Sequence, residues 1–240
     1  MKKKTKLVAL IPARSGSVRL KNKNILNLGG RPLIAHTIDY AKKTKIFDKI
    51  ILSTNSQKYA ILGRKYGAEV PFLRPLKYST SLSPDYEWVN FTINNLEKLG
   101  HKFSHFFILR PTNPFRTEKT ILRAWKKFKQ NNVESLRAVS LCKEHPFKMW
   151  TIKKNSLLPI FRKKNLKQPS YNCQYQSLPK VYSQNASLEI SKVEVLKKYK
   201  TITGKKIIPF FSNNLEGTDI NYKEDFISAK KKFNLKWEKK

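Results

Sequence analysis

Acidic residues are scarce in this 240-residue chain: 16 Asp and Glu stand against 50 Lys and Arg, for a formal net charge of +34. A field this positive draws in phosphorylated or carboxylated small molecules, and it would ordinarily put nucleic acid first among partners. The lysines, however, are spread along the chain in short clusters such as Lys42-Lys43, Lys126-Lys127 and Lys197-Lys198. No basic stripe interleaved with aromatics stands out, which favours a lysine-rich solvated surface over a dedicated polyanion site. Cysteine is scarce as well. Cys142 and Cys173 are far apart and share no CxxC or Cys/His spacing, so neither a disulfide framework nor a zinc site is expected. The four histidines, His36, His101, His105 and His145, have no metal-ligand spacing either. Long apolar runs are missing: nothing approaches the roughly 18 residues of a transmembrane helix. The lysine-rich start leads only into the short run Leu7 to Ala13, too short for a secretory signal, so a cytoplasmic location is expected. Repeats and low-complexity segments are absent too.

What is present is enough apolar residue, 40% of the chain, for a real core. The first two-thirds alternates between strand-like and helix-like patterns. Leu7 to Pro12, Lys49 to Thr54 and Ser104 to Arg110 are continuous apolar runs of the kind buried on both faces of a sheet. A third, shorter strand is expected at Glu69 to Leu73. Helical patterns follow Pro32 and cover Gln57 to Tyr66, Asp85 to Leu99 and Thr117 to about Lys129. Repeated β-α units of this length predict an α/β fold, a mostly parallel sheet with helices on both faces. Residues 143–182 break the pattern with prolines, tyrosines and asparagines. They read as an inserted arm of a single domain, because Phe147, Met149, Trp150, Ile152, Leu157, Leu158, Ile160 and Phe161 are too apolar to stay exposed. Regular structure resumes with "VYSQNASLEI", a helix near Ser191 to Tyr199, a strand at Lys206 to Phe210 and a last helix from Lys223.

The loop after the first strand carries the chemistry. In an open parallel sheet, ligands bind outside the carboxyl ends of the strands. There the sequence places Ser15, Gly16 and Ser17, small enough for backbone N–H groups to approach an anion, together with Arg14, Arg19, Lys21 and Lys23 and no acid. The loop is neither a Walker A sequence nor a GxGxxG fingerprint. By itself it points to a phosphate and not to a particular nucleotide; a solvated basic turn is the blander alternative.

A set of ordered motifs narrows this. "IPARSGSVRLKNKNI", "GGRPLIAHTIDYA", "STNS", "YGAEVPFLRP", "SPDYEWV", "LRPTNPFRT", "VYSQNASLEI" and "EGTDINYKEDF" follow one another from Ile11 to Phe226. Taken together they resemble the acylneuraminate cytidylyltransferase family, in register from Leu7 to about Ala229. The Lys23-Asn24 pair separates the chain from the related Kdo cytidylyltransferases, whose loop usually continues with Lys-Pro.

The resemblance implies a Rossmann-like sheet of the nucleotide-diphospho-sugar transferase type, CTP over the first loop, Mg²⁺ on the phosphates and a nine-carbon sugar acid as acceptor. It implies a homodimer paired through the inserted arm. Arg14, Ser17 and Lys23 would fall on phosphate-contacting positions, with Arg14, Lys23 and Asp219 as catalytic candidates. Ser15, Gly16, Arg19, Asn24, Arg74 and Arg110 complete the implied nucleotide site. Asn113, Asn185 and Lys148 are implied on the sugar-acid side, with Lys143 beside Lys148 on the arm; a strand-edge hydrogen bond is an equal reading of Asn185. Such a reaction uses these groups, because displacement at the α-phosphate spreads negative charge that arginine, lysine, backbone N–H and a metal stabilise.

Three departures from the family pattern stand out. Asn55 occupies a position where the family commonly has Asp, Arg110 one where it has Gln, and Asn221 the second Asp of an Asp-Ile-Asp. The expected metal site is therefore Asp219 with the Asn221 carbonyl on one strand face, in an acid-poor pocket to which Arg110 adds a further cation. Asp225 is expected in the first turn of the last helix, His36 to be structural, and His145 to serve either packing or substrate contact. Two alternatives stay open: a Kdo-type or other sugar-acid cytidylyltransferase, and a catalytically weakened polyanion or nucleic-acid binder on the same scaffold.

Overall fold

Side-chain alternation along the first strand divides the molecule into two packed layers. In β1 (Leu7–Pro12), Leu7, Ala9 and Ile11 point into one apolar cluster and Val8 and Leu10 into another, and all five are buried. Burying a residue of this size stabilises by about 1.5–3 kcal/mol, so a strand apolar at every position is stable only with a helical layer on each side. The computed structural model describes residues 5–161, 168–213 and 215–237.

After β1 come the short strands β2 (Asn27–Leu28) and β3 (Arg31–Pro32), then α1 (Leu33–Thr44), β4 (Lys49–Ser53), α2 (Gln57–Lys65), α3 (Asp85–Lys98) and β5 (His105–Ile108). The chain continues through α4 (Glu118–Lys129), β6 (Ser135–Leu141), the hairpin β7 (Trp150–Lys153) and β8 (Ser156–Pro159), β9 (Tyr182–Lys192), α5 (Val193–Tyr199), β10 (Ile207–Phe211) and α6 (Lys223–Trp237). Residues of α1, α2 and α4 fill the first cluster, and residues of α3 and α5 fill the second. Local signals set the helix starts: Ser56 caps α2 through its side chain, and Thr117 forms a reciprocal capping box with Thr120 at α4.

The main sheet has the order β10-β6-β9-β5-β1-β4. β1 pairs in parallel with β4 and β5, and β10 with β6, while β9 is antiparallel to both of its neighbours. The mostly parallel sheet with helices on both faces is therefore the observed architecture, with one reversed strand that the β-α pattern did not announce.

The strand expected at Glu69 to Leu73 does not form. A single bridge joins Glu69 to Ile51, and the chain then leaves the sheet at Pro71, which has no N–H for a ladder. The departure has a use: it carries the chain across the strand ends, where the Arg74 N–H donates to the Thr54 carbonyl at 2.7 Å.

The arm forms the β7–β8 hairpin, turning at Lys154 with φ +51°, followed by turns before β9. Several of its apolar side chains are not covered by the described residues: Ile152 is 73% exposed, Leu157 60% and Phe161 52%. His145 packs instead. It is buried, pairs through Nε2 with the Pro179 carbonyl at 2.9 Å, and accepts the Phe147 N–H at Nδ1. His36 is likewise held by the Leu28 carbonyl, at 2.8 Å.

Candidate active site

A cleft of about 630 Å³ opens at the carboxyl ends of β1, β4 and β5. One wall is the loop that follows β1. Gly16 takes φ +75°, a left-handed conformation that costs glycine little, and the guanidinium of Arg14 reaches back to its carbonyl at 3.3 Å. Asn24, buried on the 3-10 turn Lys23–Ile25, donates through Nδ2 to the Arg14 carbonyl at 3.1 Å. Arg14, Ser17, Arg19, Lys23 and Asn24 all line the cleft.

The floor is closed by residues about 200 positions further along the chain. Asn221 accepts through Oδ1 from Arg19 Nη2 at 2.9 Å and from Lys23 Nζ at 3.1 Å. Its Nδ2 donates to Asp219 Oδ2 at 2.7 Å. The other oxygen of Asp219, Oδ1, is buried with no hydrogen-bond partner. Burial lowers the proton affinity of the Lys23 ammonium, and although Asp219 opposes that, Arg19 and Arg14 add to it. Among the described residues no carboxylate forms an ion pair with Arg14, Arg19 or Lys23.

The orphaned Asp219 oxygen tests the fit of a divalent cation. Hard Mg²⁺ is bound through one or two carboxylates, phosphate oxygens and water, and an unpaired carboxylate oxygen on a residue that lines a basic cleft meets the protein's share of that requirement. Asn221 does not fit as drawn from the sequence. Its carbonyl oxygen is already held by two cations, and residues 218–221 form no strand, so shared-face geometry does not apply. Among the described residues no group of three His, Cys, Asp or Glu side chains assembles a metal cage. Asp225 sits in the first turn of α6 and caps it, accepting the N–H groups of Asn221 and Tyr222.

The opposite wall is organised by ion pairs. Arg110 bonds Asp85 at 2.6 Å and Glu189 at 2.9 Å, and Arg137 lies 3.0 Å from the second oxygen of Glu189. Burial alone would raise the Asp85 carboxyl, but the charge and hydrogen bonds of Arg110 and the Trp88 indole N–H, 2.7 Å away, hold it below the usual carboxylate range. Arg110 lines the cleft, yet its charge is neutralised in place; the expectation that it adds a free cation is corrected by these two carboxylates. Arg74 differs. It is buried, bonded to the Ser53 carbonyl and hydroxyl, and lies over the Trp88 ring at 4.9 Å; burial brings its guanidinium down to about 10.

The residues implied for the sugar-acid side are not brought to this cleft. Asn113 is buried and ties the Asn185 and Thr218 carbonyls together. Asn185 bonds Ser140 and Ser212 through Nδ2 and the Ser187 N–H through Oδ1. This local turn supports Ala186 at φ +54°, where β9 shifts register, and Ala186 is the residue that lines the cleft. Lys148 bonds the Tyr171 carbonyl within the arm and lines no part of the cleft. Ser15 and Gly16 shape the loop without lining the cleft, and the Ser15 N–H is engaged by Asn55 at 2.8 Å. Sequence reading passed over Asp85, Trp88 and Glu189, whose roles arise only from partners distant in the chain.

Comparison with known proteins concerns the family and the fold. The family model described as "Cytidylyltransferase" matches residues 8–234. The N-acylneuraminate cytidylyltransferase of Escherichia coli O18:K1:H7 is 37% identical over 125 residues, 52% of this chain and 29% of that protein, so the matched region spans less than a third of that relative. The pseudaminic acid cytidylyltransferase of Campylobacter jejuni serotype O:23/36 is 32% identical over 178 residues, 74% of each chain. The CMP-N,N'-diacetyllegionaminic acid synthase of Legionella pneumophila is 37% identical over 138 residues, 57% of this chain and 60% of that protein. Among solved structures, the CMP:2-keto-3-deoxy-manno-octonic acid synthetase complexed with CTP superimposes with a TM-score of 0.69 over 97% of this chain and 100% of that one. At 12% identity that likeness concerns the fold.

Proposed function

Because the chain belongs to the cytidylyltransferase family, we propose that it activates a nonulosonic sugar acid with CTP, giving the CMP-sugar and pyrophosphate. The observation that carries this reading is the pairing of an acid-free loop wall with one buried, unpartnered oxygen of Asp219 across the same cleft. In the reaction the anomeric hydroxyl oxygen of the acceptor bonds to the α-phosphorus. The bond from that phosphorus to the oxygen bridging the β-phosphate breaks, pyrophosphate leaves, and the hydroxyl proton is lost to water.

The groups on the loop meet the charge that moves. Arg14 would supply bidentate donors, Lys23 a compact point charge and the Ser17 amide a fixed dipole for oxygens whose charge grows toward the transition state. Arg74, which forms no ion pair with a carboxylate among the described residues and lies over the Trp88 ring, would meet the nucleotide. Mg²⁺, held by Asp219 and the phosphates, would neutralise leaving-group charge. Arg19 and Lys23 remain on the loop wall through Asn221 until the substrate arrives.

The reading extends to a pair of chains. Ile152, Leu157 and Phe161 form an exposed apolar patch on the arm, and a second copy seated there would bury it. The same pairing would offer Lys143 and Lys148 to the partner's cleft, since Lys148 does not line its own. No described helix is long and apolar enough to cross a membrane, and supply of CTP favours action in the cytoplasm.

The test is pyrophosphate release with Mg²⁺, each of the four nucleoside triphosphates, and a panel of nonulosonic acids that includes Kdo. Release with CTP and one nine-carbon acid is the expected result. Release with Kdo alone would move the substrate class, and release with no pair would overturn the reading.

A further inference from the structure

The structure assigns to Asn55 the role of a positioning residue for the phosphate loop, an inference that rests on reading that loop as the triphosphate site. One peptide unit, between Arg14 and Ser15, is held at both of its polar ends. Its carbonyl accepts from Asn24 Nδ2 at 3.1 Å, and its N–H donates to Asn55 Oδ1 at 2.8 Å. Two opposed hydrogen bonds on one peptide stop its rotation, and so fix ψ of Arg14 and φ of Ser15.

Both anchors are themselves held. Asn24 is buried in its 3-10 turn. Asn55 lies two residues beyond the end of β4, whose Ser53 carbonyl accepts the Ala13 N–H at 2.9 Å, and it precedes Ser56, the cap of α2. The loop is therefore tied to the end of the neighbouring strand 40 residues away in sequence.

The consequence concerns which amides meet the anion. With the Ser15 N–H turned to Asn55, the next two, of Gly16 and Ser17, have no partner among the described residues. Gly16 at φ +75° turns the chain between them, and a left-handed residue of this kind is one component of an anion-binding nest. Freezing a residue's backbone costs conformational entropy, and Asn55 meets that cost before substrate binds. An amide also does this without placing a negative charge beside the phosphates, which a carboxylate at the same position would do.

The experiment pairs amide hydrogen exchange at Ser15 with calorimetric binding of inorganic tripolyphosphate and Mg²⁺, in wild type, Asn55→Ala and Asn55→Asp, with thermal unfolding as the check on folding. In Asn55→Ala, Ser15 exchange should rise and tripolyphosphate affinity should fall, each by about 2- to 10-fold, the range of one hydrogen bond. Exchange of the Val8 to Ile11 amides should stay unchanged. Asn55→Asp should keep Ser15 protected while binding tripolyphosphate more weakly than wild type. Unchanged Ser15 exchange in Asn55→Ala, or faster exchange with unaltered tripolyphosphate affinity, overturns the positioning role; so does a wild type that binds no tripolyphosphate. Failure of the nucleotidyl-transfer reading has a separate signature: tripolyphosphate binding that responds to Asn55 in a protein that releases no pyrophosphate from CTP.

Discussion

The two walls of the cleft are both rich in arginine and lysine, but they treat those charges in opposite ways. On the loop wall, Arg14, Arg19 and Lys23 form no ion pair with a carboxylate among the described residues, and two of them share the neutral amide oxygen of Asn221. On the far wall Arg110 is clamped between Asp85 and Glu189, with Arg137 behind. A half-buried cation clamped by two acids is committed to the fold, because removing it leaves the buried Glu189 carboxylate short of its partner. A cation on an open loop without an acid keeps its field for an incoming anion. Similar residue types thus serve structure on one wall and ligand on the other, and the partner decides which.

Asp219→Ala should have the largest effect. It removes the orphaned carboxylate oxygen, and steady-state assays should show Mg²⁺-dependent turnover falling on the order of 10³-fold, the equivalent of several kcal/mol, with little change in unfolding free energy. Full metal-dependent activity in this variant would remove Asp219 from the metal site.

Arg110→Met tests the opposite wall. Removing the cation from Asp85 and from one oxygen of Glu189 should destabilise the fold by about 2–3 kcal/mol in urea titration, less than for a fully buried pair because Asp85 is partly exposed and Arg137 stays on Glu189. A stability loss below about 1 kcal/mol, with activity abolished, would show that Arg110 belongs with the loop cations after all.

Lys23→Ala should do the reverse, lowering kcat/KM by about 10²–10³-fold while stability holds or rises. Lys23→Arg sharpens this through pH. Burial holds the Lys23 proton affinity below the ordinary lysine value, so in free enzyme its charge disappears as pH rises through that lowered pKa. The alkaline limb of kcat/KM should therefore move to higher pH in the arginine variant, and an unmoved limb would assign it to another group.

The smallest effect is on acid stability. Asp85 has a depressed pKa, so its pair with Arg110 contributes stability that is fully present above the unfolded aspartate value and is lost as pH falls through the lower folded one. Urea midpoints measured from about pH 5 downward should fall more steeply in wild type than in Asp85→Asn, by up to roughly 1 kcal/mol. Parallel curves would mean that Asp85 is not the carboxylate responsible.

Much of the fold was legible because its signals are local. The apolar runs of β1, β4 and β5, the Thr117 cap and the Asp225 turn each depend on residues within a few positions of one another. The missing strand at Glu69 to Leu73 shows the limit: Val70 and Phe72 have strand character, but Pro71 between them cannot donate to a ladder. The site was legible as composition rather than as geometry. Arg14, Lys23 and Asp219 could be placed from the loop and the motifs. Asn113, Asn185 and Arg110, equally polar in sequence, turned out to be engaged with partners on other elements.

By itself, the sequence determined the alternation of buried strands and helices, the basic loop after β1 and the cytidylyltransferase resemblance, since periodicity and short motifs act over a few residues. Tertiary structure alone decided which charges are free. Lys23 meets Asn221 across 198 positions, Arg110 meets Glu189 across 79, and Ser15 meets Asn55 across 40. Electrostatic and hydrogen-bonding energies depend on distance in space, and that distance exists only once the strands have assembled.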